Sequence, residues 1–293
     1  MGYSLFKEKC VYHVGIDAGF HSEVDAMMEC MLFCYANQIK FVLYAKDANF
    51  AGGRDAYVEF FEPFCEMSKN VLNKTGNYRY NIDYGKKYNI RRWLLKKMEK
   101  AAYLTSDVFQ KCIPREISSQ YRVKWDLFDI DGTIFSEFGK LGRMVLRYNE
   151  RTKKEVESVI DQLGLPPKYL SVQFRGGDKK LEFNKLNDVD EVMSIIKSND
   201  LGIKDLFVFS DDYNYVEEVK RRYSEYTIFT LTDINDVGYD NAEFNKLDWQ
   251  YKRKKMILLF AMIDVCIASD MHFGNEQTCV NSYIKSIKKE DSY

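Results

Sequence analysis

The chain has 293 residues, and its 43 Lys and Arg nearly balance its 44 Asp and Glu, leaving a formal charge of −1. That balance excludes a sequence-independent pull of the whole protein toward nucleic acid or anionic membrane, so any basic site must be local. The length suits two ordinary domains or one large one.

Residues 11–16 alternate weakly and read as a first strand. Residues 17–22 turn the chain, with Ser22 as a helix N-cap. A helix over 23–37 follows, with Val24, Met27, Met28, Met31 and Leu32 on one face. Residues 39–44 (IKFVLY) are a second strand, so the opening is a βαβ unit and predicts a parallel sheet. Gly19, just ahead of the helix, either brings the helix N-terminus to a phosphate or is plain loop geometry. His21 correspondingly faces a ligand or caps the surface.

Residues 54–67 read as a helix with Phe60, Phe61 and Phe64 in the core. Residues 90–103 form a basic helix carrying Arg91, Arg92, Lys96, Lys97 and Lys100. Such a helix is a solvated face, or a surface for an acidic acceptor or a layer of lipid headgroups. Residues 113–121 are loop, marked by Pro114 and Ser118-Ser119. Residues 127–133 (LFDIDGT) then resemble the first motif of haloacid-dehalogenase phosphatases. The resemblance implies Asp129 as phosphoryl nucleophile and Asp131 as general acid beside Mg²⁺. Three features oppose it. About 125 residues precede a motif that normally opens its domain, Lys124 and Asp126 interrupt the strand, and no G-D-x-x-x-D pair follows.

Helices over 137–149 and 152–163 lead to Gly164 and Pro166-Pro167, and the boundary falls at 150–165. We divide the chain into 1–155 and 156–293. Residues 169–182 (YLSVQFRGGDKKLE) are the most informative stretch. Tyr169, Leu170, Val172 and Phe174 make a buried strand. The strand breaks at Gly176 and Gly177, where the backbone turns freely and a ligand can come close. Arg175 and Lys179 beside that break form an anion site, a planar fork and a point charge. The alternative is a turn with solvated charges.

Farther on, helices over 189–198, 215–223 and 252–263 alternate with strands over 205–210, 227–231 and 265–268. The strand ends are Asp211-Asp212 and Ser269-Asp270, and residues 287–293 are a charged, frayed tail. Alternation of this kind in both halves predicts two Rossmann-like domains. Seven cysteines show no C-x-x-C pair, and Cys30 and Cys34, one helical turn apart, read as core. Reduced thiols point to a cytoplasmic protein. Three histidines with no H-x-x-x-H pattern argue against zinc. The first ten residues lack the apolar core of a signal peptide and the Ser or Thr of a myristoylation site. The longest apolar run, 256–268, contains Asp264 and falls short of the about 18 residues of a membrane span.

Val172 to Lys179 (VQFRGGDK) resembles the V-H-I-R-x-G-D-K strand of the fucosyltransferase superfamily. Gln173 stands where that family has His, and Gly176 where it often has a second Arg. Gly19-Phe20-His21-Ser22 resembles the family's first glycine loop, and Ser210-Asp211-Asp212 its T-D-D. The resemblance spans 15–46, 145–230 and 255–285. It implies a GT-B fold, an α/β arrangement of two Rossmann-like domains facing across a cleft, with the acceptor on the first and GDP-fucose on the second. It further implies inverting, metal-independent transfer. Arg175 and Lys179 would neutralise the leaving diphosphate, and Asp178 or Glu182 would deprotonate the acceptor hydroxyl. Around the donor would lie Gly19, Phe20, His21, Gln173, Gly177, Asp211, Asp212, Ser269, Asp270, Gln277 and Thr278. Asp270 would accept from guanine, while Gln277 or Thr278 would reach the diphosphate. The partners implied are a nucleotide sugar and a glycan, not nucleic acid. A lipid-linked acceptor would require peripheral contact with a membrane. A nucleotide-binding protein of the same fold without turnover is the other reading, to which Gln173 and the altered last loop point.

Overall fold

Strands that are apolar along their whole length belong in a sheet covered on both faces, and such sheets are parallel. The four last residues of β1 (Glu8–His13) and of β2 (Ile39–Tyr44) are all buried. The computed structural model describes all residues except 1–4, 16–17, 52–54, 80–84, 113–121, 127–128, 178–187, 200, 276–277 and 291–293. The described chain divides into two compact units, Met1–Asn149 and Glu150–Tyr293.

In the first unit α1 (Phe20–Ala36) joins β1 to β2. There follow α2 (Ala56–Phe60), β3 (Glu66–Met67), α3 (Asn73–Gly76), α4 (Gly85–Glu99), β4 (Tyr103–Leu104) and α5 (Thr105–Cys112). The sheet order is β3-β2-β1-β4, all parallel, with Val11 opposite both Val42 and Leu104. A separate hairpin, β5 (Val123–Trp125) and β6 (Ile130–Gly132), leads into α6 (Ile134–Val145). Thr133 and Ser136 cap α6 reciprocally.

Three expectations for this unit are corrected. Helix α1 starts at Phe20 with Gly19 as its N-cap and no side-chain cap, so Ser22 lies inside the helix. The residue that organises this end is Glu23, whose carboxylate accepts from the amides of Gly15 (2.9 Å) and Ala18 (2.8 Å). The helix expected over 54–67 is only Ala56–Phe60. Pro63 cannot continue it. Phe60 and Phe61 are in the core, whereas Phe64 is half-buried against Phe41 and Tyr57. The basic helix runs earlier than expected, Gly85–Glu99, and the left-handed Lys100 (φ 51°) turns the chain into β4. The thiols of Cys30 and Cys34 face the core, and burial pushes both up.

The second unit runs α7 (Glu150–Asp161), β7 (Leu170–Phe174), α8 (Val189–Ser198), β8 (Asp205–Ser210), α9 (Tyr213–Arg222) and β9 (Thr227–Phe229). It closes with α10 (Asn241–Lys246), α11 (Trp249–Ala268), β10 (Met271–Phe273) and α12 (Cys279–Glu290). Its sheet is β10-β7-β8-β9, also parallel. Counted from the first strand of each unit, both sheets have the order third-second-first-fourth, the Rossmann half-order. The core joins Leu170, Val172 and Phe174 to Met193, Val208, Val216 and Val219. Helix α7 belongs wholly to this unit because it packs on α11, with Glu155 on Arg253 at 2.8 Å.

Here too the sequence misleads at two points. Residues 265–268 are the last turn of α11, not a strand. Val265 and Cys266 stay buried in the helical stripe of Met256, Ile257, Phe260, Ala261 and Ile263. The tail is not frayed at 287, since Ile284 and Ile287 of α12 are both in the core. Among the described residues no helix is long and apolar enough to cross a membrane.

Candidate functional site

In an open parallel sheet, ligands bind beyond the carboxyl ends of the strands, where the strand order reverses. In the second unit that point lies between β7 and β10. Arg175 follows β7 directly and ion-pairs with Asp211, which follows β8. Asp211 is the organiser. Its Oδ1 accepts from the Gly176 amide at 2.6 Å, and its Oδ2 from the Tyr239 amide at 2.8 Å. Its backbone carbonyl accepts from the Gly238 amide at 2.8 Å. The guanidinium of Arg175 sits 5.3 Å from the centre of the Tyr239 ring, within cation–π range.

The two loops meet backbone to backbone. Gly177 (φ 58°) and Gly238 (φ 108°) are both in the left-handed region. A Cβ on Gly177 would stand 2.1 Å from the Tyr239 carbonyl oxygen. Only glycine fits there, for reasons of both φ and space.

Gln173 of β7 and Thr278, just ahead of α12, are brought together: the Thr278 hydroxyl is 3.1 Å from Gln173 Oε1. The same hydroxyl is 3.2 Å from the Asn275 carbonyl and caps the Asn281 amide at 3.3 Å. The carboxyl edge therefore carries Arg175 with Asp211 and Tyr239 on the β8 side of β7, and Thr278 with the amino end of α12 on the β10 side. A cation, a hydroxyl and a helix N-terminus are the groups that hold an anion.

Beneath this edge runs a buried polar chain. Burial pushes His272 down to about 4, so its ring is neutral at pH 7. Its Nε2 lies 2.7 Å from Asn281 Oδ1, an acceptor, so Nε2 carries the proton. Nδ1 then accepts from Ser171 Oγ at 2.8 Å, and Ser171 meets Ser269 at 2.8 Å. The order Ser-His-Asn suggests a nucleophile, but Ser171 and Asn281 are wholly buried. The chain is a strut that ties β7, β10 and α12 together.

The other expected site residues fall elsewhere. Asp212 is buried and caps α9, accepting from the Asn214 amide at 3.1 Å. Ser269 and Asp270 precede β10, because the strand begins at Met271 and not before Ser269. They therefore lie at the amino edge of the sheet, where Asp270 Oδ2 accepts from the Tyr169 amide at 2.9 Å. Asp270, the expected guanine acceptor, thus sits at the opposite end of the strands from Arg175. Asp178, Lys179, Glu182 and Gln277 lie outside the described residues.

In the first unit Gly19 is the N-cap of α1. Phe20 is a core residue packed on Phe50 and Phe61. His21 is buried edge-on against Phe20, and burial pushes it down to about 3. It is neither a surface cap nor open to solvent. Glu23, which holds the Gly15 and Ala18 amides, also ion-pairs with the buried Arg79. At the reversal between β1 and β4 sits Asn77, which donates to the Val11 carbonyl at 3.0 Å and accepts from the Thr105 amide at 2.8 Å. The His13 ring nitrogens meet the Asn77 carbonyl and Asp47 Oδ1, both at 2.8 Å.

The phosphatase motif dissolves. Asp129 precedes a strand of an antiparallel hairpin and is exposed, paired with Lys140 at 3.1 Å. Asp131 pairs with Arg122 at 3.1 Å. A phosphoryl site needs both carboxylates at the carboxyl end of one buried parallel strand, and among the described residues no group of three metal-ligating side chains forms.

Sequence reasoning missed Asp211 as organiser, Tyr239, Asn275 and Glu23. The cluster of Asp, Asn and Gly over 233–241 marks a turn and could have drawn attention to Tyr239. Nothing in the sequence singled out Glu23.

No family model and no curated protein matches the chain by sequence. Solved structures do. NodZ α-1,6-fucosyltransferase soaked with GDP-fucose matches at TM-score 0.55 and 11% identity, over 96% of this chain and 92% of that one. Fucosyltransferase NodZ from Bradyrhizobium matches at 0.56 and 10%, over 95% and 92%. POFUT1 in complex with GDP matches at 0.51 and 10%, over 96% and 95%. The fold is that of these fucosyltransferases. Two Rossmann-like domains, each with the half-order described above, account for a match that runs nearly end to end.

Proposed function

We propose that the chain is a glycosyltransferase that moves fucose from GDP-fucose to a hydroxyl of a glycan, inverting the anomeric centre and requiring no metal. The observation that carries this reading is Arg175, set at the strand-order reversal of a fold shared with proteins solved with GDP and GDP-fucose. As the bond from the anomeric carbon to the β-phosphate breaks, charge grows on the diphosphate. A guanidinium fixed by Asp211 stabilises that charge without reorganising, the term usually largest in catalysis. Lys179 supplies a second cation. Thr278 and the amino end of α12 meet the phosphates. Asp178 or Glu182 takes the proton of the acceptor hydroxyl, whose oxygen forms the new bond to the anomeric carbon.

The test is thermal unfolding with GDP and with UDP, followed by turnover of GDP-fucose with and without a chelator. A nucleotide at a hundred times its Kd adds about 2.7 kcal/mol to the native state. GDP is expected to raise the midpoint by several degrees, UDP not, and the chelator to leave turnover unchanged. Stabilisation by GDP without turnover would make the chain a nucleotide-binding protein. No response to GDP would remove the proposal.

A further inference from the structure

Helix α4 lies in the first unit, on an element the proposed chemistry does not use. Its sequence is GKKYNIRRWLLKKME. The inward face is ordinary: Leu95 joins the core of Val11, Val42, Tyr44 and Leu104, and Tyr88 is buried. The outward face is not. Ile90 is 59% exposed, Trp93 55%, Leu94 40% and Met98 63%. At 100° per residue these four fall within one outward strip. At the same spacing Lys86, Lys87 and Lys97 are interleaved with them, and Lys100 stands just past the end of the helix, all exposed.

The charges on α4 divide by face. Arg92 and Lys96 turn to Asp107, and the helix's one acid, Glu99, turns to Lys9 (3.1 Å) and Ser68 (2.6 Å). Among the described residues, none of these four lysines has a carboxylate partner. Lys97 Nζ instead lies 4.3 Å from the centre of the Trp93 ring. The outward strip is thus apolar and purely cationic, in a protein whose total charge is −1.

We infer that α4 docks this protein on an anionic lipid surface, with Ile90, Trp93, Leu94 and Met98 entering the boundary between headgroups and acyl chains. A Trp with large aliphatic residues, flanked by lysines, is the arrangement that lies in that plane. The lysine stems add apolar contact while their ammonium groups reach phosphate. A second copy of the chain is a poor occupant, because two such faces carry the same sign. The convex surface of a single helix also suits a fluid interface, which needs no matching shape. This inference does not depend on the proposed transferase activity.

The experiment is cosedimentation of the full chain with vesicles of phosphatidylcholine alone and of phosphatidylcholine with added phosphatidylglycerol. Binding is expected only to the anionic vesicles, weakening with salt. Trp emission should shift to the blue on binding, and Trp93→Phe should remove that shift. Neutralising Lys86, Lys87 and Lys97 to Gln should lower the partition coefficient about a hundredfold, at about fivefold per cation. Ile90→Ser with Met98→Ser should leave binding that high salt abolishes. These positions are exposed, so unchanged thermal midpoints will show that the variants are folded. Three results would overturn the inference: no binding to anionic vesicles, equal binding to both kinds, or binding that the α4 variants do not alter. A concentration-dependent dimer lost in the Ile90/Met98 variant would assign the strip to a second copy instead.

Discussion

At the carboxyl end of β1 the protein places its own carboxylate, Glu23, on the loop amides. At the carboxyl end of β7 it places a guanidinium, Arg175, held by Asp211. The two sheets share one strand order, and each has a reversal where a ligand belongs. In the first unit that point is closed by Asn77, Thr105 and His13, all buried. In the second it carries half-exposed Thr278, Asn275 and Arg175. A glycine loop ahead of a helix is therefore not yet an anion site. Both loops already hold a carboxylate of the protein, and what differs is whether the groups at the reversal still reach solvent.

The comparison breaks most directly at Glu23. Glu23→Gln should lower stability by about 3–5 kcal/mol, because the buried Arg79 loses the Glu23 carboxylate. Urea unfolding measures this, and a loss under 1 kcal/mol would show that the loop is not held as described. Arg175→Ala should do the reverse. Turnover of GDP-fucose should fall about 10²–10³-fold with little change in the urea midpoint, and Arg175→Lys should restore only part, since an ammonium lacks the planar fork.

Acid sharpens the contrast, since each unit buries a histidine whose value burial pushes down. Both folded-state values lie below the ordinary 6.5, at about 3 for His21 and about 4 for His272. The unfolded chain then binds protons that the native chain does not, so stability is complete above pH 6.5 and declines as the pH falls. Each histidine contributes a slope of about 1.4 kcal/mol per pH unit. The His272 slope ends near pH 4 and the His21 slope near pH 3. Unfolding curves at several pH values, with His272→Gln alongside, should show one slope removed and the other kept. The smallest effect is Thr278→Val, which removes the hydroxyl from Gln173 and the α12 amide. GDP affinity should drop about fivefold by calorimetry, about 1 kcal/mol for one hydrogen bond.

Much of the fold was legible because strands buried on both faces leave unbroken apolar runs. Residues 39–44, 205–210 and the helix 189–198 were read to the residue. Burial alone could not separate strand from helix at 265–268, where a short apolar run fits either, and that one error moved Ser269 and Asp270 to the wrong end of the sheet. The D-x-D-G-T string misled for a related reason. Its chemistry requires a parallel buried strand, and a short antiparallel hairpin strand with the residue on either side spells the same letters. The turn at Gly176-Gly177 was legible because a positive φ there leaves few alternatives to glycine. Glu23 was not, because its partners are backbone amides that carry no letter of their own.

None of the seven cysteines forms a disulfide, and five of them are buried. Of the two half-buried ones, Cys65 has its thiol pushed up to about 12 by burial, so it offers almost no thiolate at neutral pH. That leaves Cys279, the first residue of α12 and the neighbour of Thr278. A maleimide dye added to the unmodified chain should therefore label one position, beside the hydroxyl that meets Gln173. Nucleotide arrival would then be readable as a change in the dye's emission, or as protection of the thiol from the reagent, without a single substitution.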